Sequence, residues 1–206
     1  MNTTVRRRRR DGERSRSAIL REAAQLATVE GITGLSIARL AEAVGMSKSG
    51  LFAHFGSKQE LQLATVETAN AVFAEQVIEA AEQAPTGLER LRKLGDGYLR
   101  YVESGTFAGG CFFASTLAEV DMRPGPLRDV LVAFNDDWLG RLEAAVRDAQ
   151  AEGAIDTAED AAQLTFDIEA ALYLANAQFV VARTPEPVER ARKAIERRLQ
   201  GATKAA

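Results

Sequence analysis

The sequence predicts an all-α protein: a small N-terminal three-helix unit followed by a larger helical body. Three observations carry this expectation. Apolar residues recur at the i, i+3, i+4, i+7 spacing of a helix face, as in Ile37, Leu40, Ala41 and Val44. Ser36, Ser47 and Ser57 each stand just ahead of such a face, where a side-chain oxygen accepts from an orphan backbone N–H. No stretch alternates as a half-buried strand would, and no internal repeat appears. A length of 206 residues suits one small domain plus one of ordinary size.

Arg6 to Arg10 precede any periodic segment, so residues 1–14 read as a disordered basic arm. From Ser15 to Glu30, Ile19, Leu20, Ala23, Leu26 and Ala27 mark an amphipathic support helix closed by Gly31. Ser36 then opens a helix that Gly45 stops, with Leu35 placed to staple against Leu40. Ser47 opens a short second helix over about Lys48 to His54, with Met46 placed to pack on Leu51. Ser57 and Glu60 form an S-x-x-E capping box for a fourth helix, which Pro85, Thr86 and Gly87 end near Ala84.

The larger body, residues 62–201, continues in the same vein. Leu88, Leu91, Leu94, Tyr98 and Val102 make a helical face ending near Gly105. The Gly109-Gly110 bend leads into a short helix to about Val120, and Met122, Pro124, Gly125 and Pro126 interrupt the chain. Leu127, Leu131, Phe134, Trp138, Leu142 and Val146 line a long helix stopped by Gly153. Asp156 with Glu159 reads as the next N-cap pair. The following segment to Arg183 is apolar all round, which predicts deep burial with a subunit interface as the partner. Pro185 to Pro187 introduce a last, charged helix to about Leu199.

Two short helices about a glycine turn match the helix-turn-helix, whose second helix lies in the DNA major groove. Here that helix starts with Lys48 and Ser49, and three capped N-termini offer amides to phosphate oxygens. Charge agrees with this placement. Residues 1–60 hold 11 lysines and arginines against 6 acids, a net +5, while the rest holds 15 against 23, a net −8. The positive end is therefore the one with the reading unit. The arginine arm reads either as a phosphate-tracking or minor-groove element or as a solvated tail.

The run from Gly45 to Leu61, GMSKSGLFAHFGSKQEL, resembles the signature of the tetracycline-repressor (TetR-like) family of bacterial regulators. The likeness is close over about Ser15 to Leu61, and beyond it only size and helical character are shared. It implies a helix-turn-helix domain over residues 15–61, whose last helix continues to about Ala84, and a helical ligand-binding and dimerisation domain. It further implies release of DNA when a small ligand binds. Carried over by position, Lys48, Ser49 and Gly50 fall at base-reading places, and Ser36, Ser47, His54 and Lys58 at phosphate-contacting ones. Phe52 stands where the family usually has a tyrosine, so that hydroxyl's bond to phosphate is absent. Gly50 brings no side chain to a base.

Tyr98, Tyr101, Phe107, Cys111, Phe112, Phe113, Met122, Phe134, Trp138, Phe166 and Tyr173 read either as a filled core or as the wall of an apolar ligand cavity. The glycine bend beside two phenylalanines favours a cavity for a hydrophobic or aromatic ligand. Cys111 has no Lys, Arg or His within five residues, so an inert buried thiol is expected rather than a redox sensor, and a single cysteine excludes an intrachain disulfide. His54, the only histidine, has no companion spaced for a metal. No nucleotide loop, nucleophile elbow or zinc motif is present, so neither enzymatic activity nor a cofactor is expected. No apolar run reaches the roughly 18 residues of a membrane span, and the basic N-terminus lacks an apolar signal core, which places the protein in the cytoplasm without membrane contact.

Together these observations predict a homodimeric, ligand-responsive repressor of a palindromic operator. Its partners are double-stranded DNA and a small-molecule effector. An architectural DNA-coating protein and, more distantly, a helical enzyme using the cavity are the rival readings.

Overall fold

The computed structural model describes residues 3–120 and 122–203, with side chains from residue 15 onward. Helices follow in the order α1 (Thr3–Glu30), α2 (Ile37–Ala43), α3 (Lys48–Phe55), α4 (Lys58–Phe73), α5 (Glu79–Glu82), α6 (Gly87–Glu103), α7 (Phe112–Val120), α8 (Pro126–Ala151), α9 (Ala161–Ala182) and α10 (Glu186–Ala202). A π-helical turn, Ala74–Ile78, joins α4 to α5 without leaving helical geometry, so the three form one rod. The described residues contain no strand, only an isolated bridge between Ile155 and Thr203.

Buried side chains gather in two clusters. The smaller unites Ile19, Leu20 and Ala23 of α1 with Leu35, Leu40, Leu51, Phe55 and Leu61, which fixes the first four helices around one another. The larger fills the body from α4 to α10, and α1 enters it through Ala24 and Ala27. Thus α1 and α4 belong to both clusters, and the front unit is tied to the body by two continuous helices.

Three elements differ from the sequence reading. Helix α1 begins at Thr3, so the backbone of the arginine run continues the helix instead of forming a disordered arm. Arginine is a good helix former, and extending an existing helix costs far less than nucleating one. The side chains of Arg6 to Arg10 lie outside the described residues. Second, the cap of α9 is Asp160, whose Oδ1 accepts from Ala162 N and Gln163 N, whereas Asp156 closes the preceding turn by accepting from Ala158 N. Third, α9 is not buried all round: Leu164, Ile168, Leu172 and Ala175 face the core, while Phe166, Tyr173, Leu174 and Val181 are exposed.

Candidate nucleic-acid interface and ligand cavity

The front unit presents its polar side through three serine caps. Ser36 Oγ accepts from Arg39 N at 3.2 Å, Ser47 Oγ from Gly50 N at 3.1 Å and Ser57 Oγ from Glu60 N at 3.1 Å. Gly45, at φ +65, makes the left-handed turn between α2 and α3 that a side chain would strain. Leu51 and Phe55 anchor α3 to the core, which leaves Ser47, Lys48, Ser49 and Phe52 exposed on its free side, with Gly50 and His54 half-buried. Lys58 is also exposed, and its Nζ donates to Thr33 O at 2.5 Å, so one of its three donors serves the α1–α2 turn.

Two further cations stand here that the sequence reading did not single out. Arg16 lies 5.2 Å above the Phe55 ring, and Arg39 is held by Glu30 in a bidentate pair, whose hydrogen bonds keep the Glu30 carboxyl below its usual range. Nothing local in the sequence marks either one, because both partners are fixed by tertiary packing.

Behind this unit the body forms a partly open cavity of about 330 Å³. Its wall takes Phe73 from α4, Tyr98 from α6, Cys111 and Phe113 at the start of α7, Phe134, Asn135 and Trp138 from α8, and Glu169 and Tyr173 from α9. Phe73 is the hub: Tyr98, Tyr101, Phe113, Phe134 and Trp138 all meet it edge to face, with ring centroids 5.2 to 6.2 Å apart. Burial pushes the Cys111 thiol up to about 11 and holds the Tyr98 hydroxyl well above its ordinary value.

Of the aromatic set read from sequence, Tyr98, Cys111, Phe113, Phe134, Trp138 and Tyr173 line this cavity. Tyr101, Phe107 and Phe112 do not; they are core residues behind the wall, and the Tyr101 hydroxyl accepts from Phe112 N at 3.3 Å. Met122 and Phe166 are corrections of a different kind, being 86% and 67% exposed. Met122 falls in the α7–α8 loop and Phe166 on the outer side of α9, and hydrophobicity alone does not tell which way a helix face points. Phe73 of α4 and Glu169 of α9 also belong to the wall, and the sequence reading singled out neither. The sequence offers only a weak signal for Glu169, an acid between Ile168 and the apolar run from Ala170 to Ala175, because Asp167 two residues away is also acidic and is paired elsewhere.

Helix α7 connects the two sites. Its Ala114, Leu117 and Ala118 line the cavity, and the next residue, Glu119, grips the α1–α2 turn. Glu119 Oε2 accepts from Ile32 N at 2.7 Å, and Oε1 accepts from Thr33 N at 3.0 Å and from the Thr33 hydroxyl. The same turn receives Gln62 Nε2 on Ile32 O at 2.7 Å, from the first turns of α4. A second tie joins α1 to the loop ahead of α7, where Gln25 Oε1 accepts from Ala108 N at 2.9 Å and Thr28 Oγ1 from Gly109 N at 3.1 Å. Gly109 sits so close to Thr28 O that a Cβ has no room.

Residues 19–65 match the profile for bacterial regulatory proteins of the tetR family, and residues 87–195 match the tetracyclin repressor-like C-terminal domain. The chain belongs to the TetR family. It is 28% identical over 140 residues to the HTH-type transcriptional regulator TcmR of Streptomyces glaucescens, a match spanning 66% of this chain and 60% of that protein's length. A TetR transcriptional regulator from Chloroflexus aurantiacus shares the fold at a TM-score of 0.83 and 26% identity, over 96% of this chain and all of that one. AibR, solved in complex with isovaleryl coenzyme A and operator DNA, shares it at 0.71 and 25%, over 87% of this chain and 95% of that one. In this TetR-family chain residues 66–86, between the two matched regions, hold most of the α4–α5 rod, which carries Phe73 into the cavity wall.

Proposed function

We propose that this TetR-family chain is a transcriptional repressor that binds a palindromic operator as a homodimer and releases it when a small apolar or aromatic ligand enters the cavity. Residues 15–61 form the reading unit, and residues 62–201 the sensor and dimerisation domain. Lys48, Ser49 and Gly50 approach base edges from the start of α3. Ser36, Ser47, His54 and Lys58, with the amides around them, hold phosphates and so set register without carrying sequence information. No catalysis is assigned, and the protein works in the cytoplasm. Among the described residues no helix is long and apolar enough to cross a membrane.

The observation that carries this reading is the Glu119 clamp. It ties the wall of an aromatic cavity to the turn between α1 and α2, one helix away from the exposed Lys48. A ligand that shifts α7 therefore moves the support of the reading unit, and a coupling of about 1–3 kcal/mol changes operator affinity roughly 5- to 150-fold. The relative AibR, solved with both a ligand and operator DNA, is consistent with that pairing of sites.

The dimer follows from α9. Phe166, Tyr173, Leu174 and Val181 are exposed, and with Ala170 and Ala177 they form a stripe at spacings of three to four residues along one side. An apolar stripe on a long helix packs well against its own two-fold copy, and the small alanines let the helices approach.

Purified protein is to be used to enrich duplexes from a random library, and the enriched DNA footprinted. One short protected palindrome, with half-sites about one helical turn or a modest multiple apart, is the expected result. Continuous protection without enrichment supports the architectural reading instead.

A further inference from the structure

The cavity wall contains one acid and no base. Glu169 enters from α9 among apolar neighbours, and Trp138 Nε1 donates to its Oε2 at 2.8 Å. Among the described residues its other oxygen makes no hydrogen bond, and no lysine, arginine or histidine either lines the cavity or pairs with Glu169. Asp167, two residues away, is by contrast bound by Arg198 at 2.7 Å. An ionised carboxyl set into an aromatic wall without a cation is costly, so it either takes up a proton or draws a positive charge to itself. Aromatic rings line the same space, and aromatic faces attract cations.

We propose that the cavity takes an organic cation, a flat apolar body lodged among the rings with a positively charged nitrogen against Glu169. This rests on the cavity being the effector site, and it narrows the effector from any apolar molecule to one with a single positive centre. Trp138 orients the carboxyl through its indole N–H, and Asn135 on the same helix adds a neutral polar group to the wall. An anion meets an uncompensated carboxyl and is rejected.

Binding then depends on pH. Burial pushes the free Glu169 carboxyl up to about 7, and the Trp138 bond opposes that rise. The other titratable groups facing the cavity are Tyr98 from α6, Cys111 ahead of α7 and Tyr173 from α9. Burial keeps Tyr98 and Cys111 protonated through neutral pH, and α4 and α8 bring no charged side chain to the wall. Glu169 is thus the group whose ionisation a cation reads.

Three probes of one shape test this by isothermal titration calorimetry: 1-naphthylmethylammonium, 1-ethylnaphthalene and 1-naphthylacetate, with wild type and Glu169→Gln at pH 6 and pH 8. Wild type is expected to bind the ammonium roughly ten- to hundredfold tighter than the ethyl compound at pH 8, as a charge-assisted hydrogen bond gives, and by less at pH 6. Glu169→Gln is expected to lose that preference while keeping its affinity for ethylnaphthalene, which also shows that the variant is folded. Equal binding of the ammonium and ethyl probes, tightest binding of the naphthylacetate, or an undiminished ammonium preference in Glu169→Gln overturns the charge assignment and leaves the cavity standing. Failure of all three probes to bind overturns the cavity reading itself, and the cation proposal with it.

Discussion

Ser47 accepts from Gly50 N and thereby fixes the start of α3, which leaves Lys48 and Ser49 on the open side of the helix with no partner in the core. Removing that cap in Ser47→Ala is expected to cost about 1 kcal/mol in urea unfolding. Phe52 is 55% exposed, and under the proposed docking of α3 a hydroxyl there would face phosphate. Phe52→Tyr is expected to strengthen binding to all duplexes by up to about tenfold without changing preference among them, since phosphate bonds carry no sequence information. A change in preference measured by competition against single-base variants would refute that role. Glu169 makes a separate, ligand-free prediction. Burial pushes its carboxyl up to about 7 in the folded chain, from 4.5 for an ordinary glutamate. Between those pH values the folded chain holds a proton the unfolded chain has lost, so this contribution to stability falls as pH rises through the window. Glu169→Gln is expected to flatten that slope in denaturation measured from pH 4.5 to pH 7.5.

At the level of elements, α7 touches both the cavity and the front unit. It is nine residues long, and it reaches the cavity through Leu117 and Ala118 and the reading unit through Glu119. Glu119→Ala leaves the amides of Ile32 and Thr33 without their acceptor, and a cost of about 1–3 kcal/mol in stability is expected. Its more telling effect is on coupling: operator binding is expected to persist while ligand-induced release weakens, measured by fluorescence anisotropy with and without a cavity ligand. Undiminished release would show that the signal travels by another route, of which the α4–α5 rod with its buried Phe73 is the obvious one. That rod carries a π-turn at Ala74–Ile78, where Gly97 of α6 lies against the Val77 backbone, so its shape is set by a close helix crossing.

For the whole molecule, the front unit was legible because its determinants are local. Ser36, Ser47 and Ser57 cap the helices they precede in the sequence, and Gly45 takes the left-handed turn assigned to it. The body was legible as helices but only half legible as a site. Met122 and Phe166 look like core residues and point outward, whereas Glu119 and Glu169 look like solvated charges and make the two connections that matter. Such outcomes depend on which helix faces meet, and a short-range pattern does not record that. The exposed stripe on α9 belongs to the same scale. Leu174→Glu sets a charge against its own copy across a two-fold axis, and a shift from dimer to monomer is expected in analytical ultracentrifugation. A variant that stays dimeric would move the interface elsewhere.

In the proposed complex α3, capped by Ser47, brings Lys48 to the base edges of a half-site. The most direct measurement is the affinity of wild type and Lys48→Ala for the enriched palindrome and for every single-base variant of one half-site, at fixed salt. Loss of discrimination at one or two base pairs in Lys48→Ala, with the other positions read as before, is the expected result. A uniform loss across all variants would make Lys48 a phosphate contact, and a wild type that prefers no duplex over random competitor would mean that α3 reads no operator at all.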